Sequence, residues 1–403
     1  MRLHFFLLAF IFPGYFFFHV AYSKGVVPYV PWLTAALCIS SAALIAKDIT
    51  RSISKRRIST SAERSAILIY ALLALFVCSS IAVSLLRHFL DDAEYISRDG
   101  MAWTAVAFIN ICTMFYLGTK LNTATGPAWM IALAVVAAML VFSILLHLPD
   151  YGTVNLAVNA SPLSSKDQIA TYQGLAMSLM IFTILTLPYA NSKLARIILL
   201  SCCFVGIYYI GARTELVLTA ICIVIFIAAN FRFRNVCFTL IVMAITTALL
   251  LTFWGAPADA PARYNISGGD ASISERATLF FKGIDGIYGS PFLGDYLGQV
   301  RDFGSKGAYI HNALSVWQQY GVVSFLAYMG LCLASLVVAF QNIGTIKSNR
   351  NVQALFMLSA LSLVAVVFAK PFLWPVPALA WGLACSRAVR KPHLVRQASI
   401  PIS

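Results

Sequence analysis

Apolar residues run along this chain in long blocks separated by short polar interruptions. A helix needs about 20 such residues to cross the hydrocarbon of a bilayer. Blocks of that kind fall at 3–22, 26–46, 65–86, 101–118, 127–146, 168–188, 195–211, 214–230, 236–254, 313–340, 352–369 and 371–387. They predict an all-α fold: a polytopic transmembrane helical bundle of about 12 helices, one integral-membrane domain over 1–403 that ends in a cytoplasmic tail at 388–403. The seventh and eighth blocks are separated only by Ala212 and Arg213, which makes a very tight hairpin. Lys370, Pro371, Pro375 and Pro377 crowd the junction of the last two, and prolines at that depth mark a kinked or re-entrant piece. The first block could imitate a signal peptide, but only Arg2 precedes it and no small-x-small cleavage site follows, so a retained helix is expected.

Composition agrees with this pattern. Of 403 residues 60% are hydrophobic and 11% charged, against roughly 25% charged in a soluble domain. The nine cysteines all sit inside apolar runs without metal-ligand spacing, so neither a disulfide framework nor a metal site is expected. The charge is unevenly placed. With the N-terminus in the cytoplasm, the cytoplasmic loops collect 18 of the 29 Lys and Arg residues against only Asp48 and Glu63. That side nets +16 and the outer side −2, together the chain's +14. The excess positive charge is therefore a topology signal and gives no reason to expect nucleic acid as a partner. Both termini are placed in the cytoplasm.

The outer loops are of unequal size. Those at 87–100 and 147–167 are modest, whereas 255–312 is long and holds structure of its own. Ser272 and Glu275 have capping-box spacing. They open a short amphipathic helix at about 273–288, with Ile273, Ala277, Phe280, Phe281, Ile284 and Ile287 as its apolar stripe and Gly289-Ser290-Pro291 as its stop. Such a helix lies on the membrane surface or packs on the mouth of the bundle. No internal repeat and no Gly-rich nucleotide loop is visible.

Three outer-side residues carry candidate chemistry. Arg213 stands between two apolar segments, either as an anion contact in a wet cavity, with Glu215 as its pairing partner, or as a helix-end anchor. Arg276 opens the loop helix, either as a second anion contact whose planar fork suits phosphate or as a solvated charge. His311, followed by Asn312, opens the tenth block at the membrane boundary. It is either a proton acceptor near neutral pH or a capping interfacial histidine. Tyr288, Phe292, Tyr296, Phe303 and Tyr309 could line a sugar path or form an interface belt.

In order, Gly211-Ala212-Arg213, Arg276, Ser290-Pro291-Phe292-Leu293-Gly294 and His311-Asn312 with Trp317 and Gly321 resemble the O-antigen ligase and O-antigen polymerase superfamily of bacterial membrane glycosyltransferases. The resemblance covers roughly 197–340. Ala212 departs from the serine often found before the family's first arginine, and the large loop is compact for the family. The resemblance implies a multi-pass protein of the bacterial inner membrane. It would transfer a glycan, without metal or cofactor, from an undecaprenyl-pyrophosphate carrier to a sugar hydroxyl at the periplasmic face. The acceptor would be another lipid-linked chain for a polymerase or lipid A–core for a ligase, with other polysaccharide-assembly proteins as partners beside membrane lipid. His311, Arg213 and Arg276 would be catalytic, and Asn312, Glu215, Trp317 and Tyr309 would touch substrate. The compact loop leans the choice slightly to polymerase.

Two classes of rival remain. Twelve helices suit a secondary transporter or polysaccharide flippase, but those show repeats and midplane charges, and here the mid-helix positions are nearly free of charge. A non-catalytic assembly protein of the membrane is the other.

Overall fold

The computed structural model describes residues 2–14, 16–18, 21, 61–90, 98–121, 126–145, 172–230, 271–304, 308–386 and 389. Among them every regular element is helical. The chain forms two compact units, one of Met1–Pro31, Leu121–Asn265 and Gly344–Leu361, the other of Trp32–Lys120, Ile266–Ile343 and Ser362–Ser403.

The first unit contains α1 (Arg2–Ala9, continued by a wide turn over Phe10–Gly14), α4 (Gly126–Leu145), α5 (Tyr172–Thr186), α6 (Lys193–Ile210) and α7 (Arg213–Asn230). Helix α5 is its core. Leu175, Leu179, Phe182 and Leu185 are buried, and α5 packs on α4, α6 and α7. Ser192 caps α6 by accepting the Ala195 N–H at 3.0 Å. Gly211 ends the same helix in the left-handed conformation, φ 77°, so α7 can begin two residues later, as the sequence predicted.

The second unit contains α2 (Ser61–Leu90), α3 (Arg98–Lys120), α8 (Ala271–Gly289), α9 (Gly298–Phe303), α10 (Leu314–Gln341) and α12 (Val376–Ala384). Helix α11 (Arg350–Phe368) contributes residues to both units. Helix α10 lies along α2, where Ser79 and Ser324 share a 2.8 Å hydroxyl hydrogen bond. Helix α12 lies along α3 through Gly118 and Gly382, which bring the two backbones into contact. Small residues at helix contacts and hydroxyl bonds between helices are how helices associate without a hydrophobic driving force in lipid.

Five of the described helices are long and apolar enough to cross a bilayer: Arg64–Leu90, Gly100–Lys120, Lys193–Ile210, Leu314–Gln341 and Arg350–Phe368. They fit a membrane protein. The expected count of about twelve is not reached among the described residues, and the segments at 26–46 and 236–254 lie outside them. The segment at 371–387 is a correction. Its prolines hold residues 371–375 out of helix, and α12 has only nine residues, about 14 Å of rise against a hydrocarbon core of about 30 Å. All nine are buried. Their apolarity serves packing inside the protein and does not build a span.

The loop helix is present as α8, within two residues of its expected bounds, but its packed face differs from the expected stripe. Leu279, Gly283 and Ile287 are buried, while Phe280 and Phe281 are exposed. Gly283 decides this, because its missing side chain lets Ile310 and the Gln318 amide lie directly against the helix.

Candidate functional site

The second unit gathers its polar groups where α8, the turn after it and the start of α10 meet. Helix α10 is broken at Gly321 (φ 76°, ψ −179°). In an unbroken helix the Val322 N–H would bond the Gln318 carbonyl four residues back. Here the turn 290–295 takes both groups. Val322 N–H donates to the Pro291 carbonyl at 3.2 Å, and the Gln318 carbonyl accepts the Asp295 N–H at 2.6 Å. The break leaves neither group orphaned, which its burial requires.

Two side chains hold the same turn. Arg87, in the last turn of α2, donates through Nη2 to Ser290 Oγ and to the Gly294 carbonyl, each at 2.6 Å. Trp317 donates its indole N–H to the Pro291 carbonyl at 2.8 Å and stacks on Phe325 with centroids 5.1 Å apart. Two buried amides continue the network. Gln318 Oε1 accepts the Ile310 N–H at 3.1 Å. Gln319 accepts the Leu297 N–H at 3.1 Å and donates to Gln299 Oε1 at 2.6 Å. Arg301 forks onto Asp295 (2.8 and 3.2 Å) and reaches Asp302. Its hydrogen bond holds the Asp302 carboxyl below the usual carboxylate range and in turn keeps the guanidinium protonated.

His311 sits beside this scaffold, half-buried, one residue before the turn that starts α10. Asn312 Oδ1 accepts the Leu314 N–H at 2.9 Å and the Asn312 carbonyl accepts Ser315 Oγ at 2.7 Å, so Asn312 caps α10. The strand of chain after α11 lies against the same start. Ala313 N–H donates to the Val366 carbonyl at 2.6 Å, and Phe372 N–H donates to Ser315 Oγ at 3.2 Å. That contact carries Lys370, only 8% exposed, into the neighbourhood of His311. Arg276 and Glu275 approach from α8. The imidazole is held below its ordinary pKa, first by burial, then by the positive charges of Arg276 and Lys370, with Glu275 pulling the other way. Tyr309 is buried with its ring 5.8 Å from that of His311, and burial pushes its hydroxyl up to about 12.

The sequence-predicted residues are thus divided. Arg276, Tyr309, His311, Asn312 and Trp317 belong to the second unit; the Tyr309 and His311 rings are neighbours, and Arg276, exposed on α8, acts on His311 through its charge. Arg213 and Glu215 stand in the first turn of α7 in the first unit, Arg213 half-buried and Glu215 buried. The aromatic set does not form one path: Tyr296 and Tyr309 are buried, whereas Tyr288 and Phe292 are 79% and 77% exposed. Sequence reasoning missed Arg87, Lys370, Gln318 and Gln319. The adjacent amides inside an apolar run were the available signal, since buried amides in such a run need partners.

What the arrangement can do follows from its charges. A half-buried imidazole among cations is neutral at pH 7 and able to accept a proton, next to cations able to hold an anion. No group of three His, Cys, Asp or Glu side chains among the described residues is placed to hold a metal ion. No protein-family model matches the chain, and no curated protein matches it.

Proposed function

We propose that this protein is a membrane glycosyltransferase of the O-antigen polymerase or ligase type. On this reading it is a multi-pass protein of the inner membrane with its N-terminus in the cytoplasm, and its working face is periplasmic. It transfers a glycan from an undecaprenyl-pyrophosphate carrier to an acceptor sugar hydroxyl in surface-polysaccharide assembly. What supports the reading is the pairing of a base with cations: His311, kept neutral by burial, beside Arg276 and Lys370.

The step balances as a displacement. The acceptor oxygen attacks the anomeric carbon and its proton passes to His311. The bond from that carbon to the diphosphate oxygen breaks, and undecaprenyl diphosphate leaves. No nucleotide is required, because the donor bond carries the energy. The leaving group gains negative charge as the bond breaks, and fixed cations stabilise that charge more than they stabilise the ground state. Arg276 holds this role in the second unit. Arg213 belongs to the first unit and enters the reading through the sequence pattern alone. Asn312, which caps α10, and Trp317, whose single N–H is already donated, hold the site in shape. Tyr309 buttresses the imidazole ring.

The deciding experiment is the surface-glycan profile of a deletion strain, run beside its lipid-linked intermediates. Single repeat units on core, without long chains, identify a polymerase, the reading the compact loop favours. Bare core with long chains stranded on the carrier identifies a ligase. Unchanged lipopolysaccharide, capsule and exopolysaccharide would refute the reading and leave a transporter or flippase in its place. Orientation is tested separately: Gly268→Cys should react with an impermeant thiol reagent from outside, and Ser54→Cys should not.

A further inference from the structure

The first unit gathers positive charge where α6 begins beside the part of α11 that belongs to that unit. Leu187–Tyr189 form a single tight turn ahead of α6, and two arginines converge on its end. Arg196, in the first turn of α6, donates its Nε to the Ala190 carbonyl at 2.8 Å, and its Cζ lies 6.0 Å from the centre of the Phe226 ring on α7. Arg350, the first residue of α11, lies over the Tyr189 ring with its Cζ 4.7 Å from the centre. Tyr189 is buried, and Trp129 of α4 backs its ring with centroids 6.3 Å apart. The two guanidinium groups are close enough for their charges to act on each other. Lys193, one turn before Arg196 on the same helix face, and Lys347 add further charge, and both are exposed.

Among the described residues of this unit the one acidic side chain is Glu215. It stands in the first turn of α7, at the opposite end of α6, about 20 Å along the helix axis. Among the described residues the Ala190 carbonyl is the one hydrogen-bond acceptor that either guanidinium meets. Stacking on aromatic faces therefore fixes two like charges side by side without neutralising them. Loop charge that sets topology needs only positive residues near helix ends. It does not require two guanidinium groups brought to one point and fastened to packed rings. A guanidinium fork meets two phosphate oxygens with parallel donors, so two forks at one point suit a phosphate group. The starts of two helices add partial positive charge. Both helices are long and apolar enough to cross a bilayer and both begin here, which puts the pair at the level of a membrane surface.

We propose that Arg196 and Arg350 form a binding site for one phosphate group, held between the two guanidinium groups where α6 and α11 begin. The site stands apart from His311 and does not depend on the glycosyltransferase reading. Two sources carry this chemistry, the headgroup of an anionic phospholipid and inorganic phosphate.

The full chain, purified in detergent and stripped of lipid, is titrated at constant ionic strength with phosphatidylglycerol, with diacylglycerol of the same chains and with inorganic phosphate, and its unfolding temperature is followed. A ligand that binds the folded chain raises that temperature. The expected result is a rise of several degrees with a phosphate source and none with diacylglycerol. A rise with the lipid alone, or at lower concentration of it, identifies the headgroup; a rise with inorganic phosphate alone, or at lower concentration of it, identifies the free ion. Arg196→Gln and Arg350→Gln should each raise the concentration needed about tenfold, the loss of one charge-assisted contact. Arg350→Lys, which keeps the charge and loses the fork, should raise it severalfold. Arg64→Gln, which removes an exposed cation in the first turn of α2, should change it little. No rise with either phosphate source beyond that with diacylglycerol, or a rise weakened as much by Arg64→Gln as by Arg350→Lys, would overturn the proposal. Arg350 is exposed, so its two variants decide the test even where Arg196→Gln fails to fold.

Discussion

Gly294 and Gly321 meet backbone to backbone: a Cβ on Gly294 would stand 2.7 Å from the Gly321 nitrogen, and one on Gly321 would collide with the Phe292 carbonyl. Both residues have positive φ, 69° and 76°. The contact seats the turn 290–295 in the break of α10, where it replaces a helical hydrogen bond with two others. An alanine at either position adds about 1–3 kcal/mol of backbone strain and a clash with backbone that cannot move aside. Gly294→Ala and Gly321→Ala should each lower the unfolding temperature in detergent and expose the turn to protease. Gly289→Ala, whose added Cβ would meet nothing within 4 Å, should do neither. Equal behaviour of all three would show that the turn is not seated as described.

Arg87 should matter to the same turn through its two donated bonds. Hydrogen bonds from a charged donor contribute about 1.5–3 kcal/mol each, and α2 leaves Arg87 half-buried, where solvent screens part of that. Arg87→Met should cost roughly 2 kcal/mol and loosen residues 290–294 to hydrogen exchange. Ser290→Ala removes one acceptor and should show a smaller effect in the same residues. An unchanged exchange pattern in Arg87→Met would leave Arg87 a simple surface cation.

Much of this scaffold was legible in the sequence, and the exceptions have physical causes. The blocks at 65–86 and 313–340 became Ser61–Leu90 and Leu314–Gln341, because an unbroken apolar run leaves the backbone no better way to satisfy its polar groups in lipid than a helix. The segment 371–387 was equally apolar but is core, and apolarity alone does not separate lipid contact from protein contact. The break at Gly321 was hidden because its cause lies about thirty residues earlier, in a turn that competes for the α10 backbone. Lys370 read as a junction charge, and only the contacts of Ala313 with Val366 and of Phe372 with Ser315 bring it beside His311.

If His311 accepts the acceptor's proton, kcat/KM should fall on the acid side as the imidazole protonates. Burial, Arg276 and Lys370 all lower its pKa, so the limb should lie below the ordinary histidine value of about 6.5. Arg276→Gln removes one lowering charge and should move the limb to higher pH, whatever it does to the maximal rate. Glu275→Gln removes a raising charge and should move it to lower pH. The same shift has a stability counterpart. Between the lowered pKa and 6.5 the unfolded chain binds more protons at this residue than the folded one, so its contribution is present above that window and is lost as pH falls through it. A pH–rate profile unmoved by both substitutions would detach His311 from the proton transfer.

Arg276 itself separates a fixed fork from a point charge. Its proposed partner is the diphosphate leaving group, which a guanidinium meets with two parallel donors and an ammonium with one. Arg276→Gln removes the charge and should cost on the order of 3 kcal/mol, roughly a hundredfold in kcat. Arg276→Lys keeps the charge and should recover only part of that rate. Because Lys also preserves the field at His311, its acid limb should stay at the wild-type position while its rate falls, whereas Gln moves both. That contrast tells leaving-group stabilisation from tuning of the base. A Lys variant with full rate would mean that Arg276 acts only through its charge on the imidazole. A Gln variant with full rate and a displaced limb would move the leaving-group contact elsewhere in the molecule.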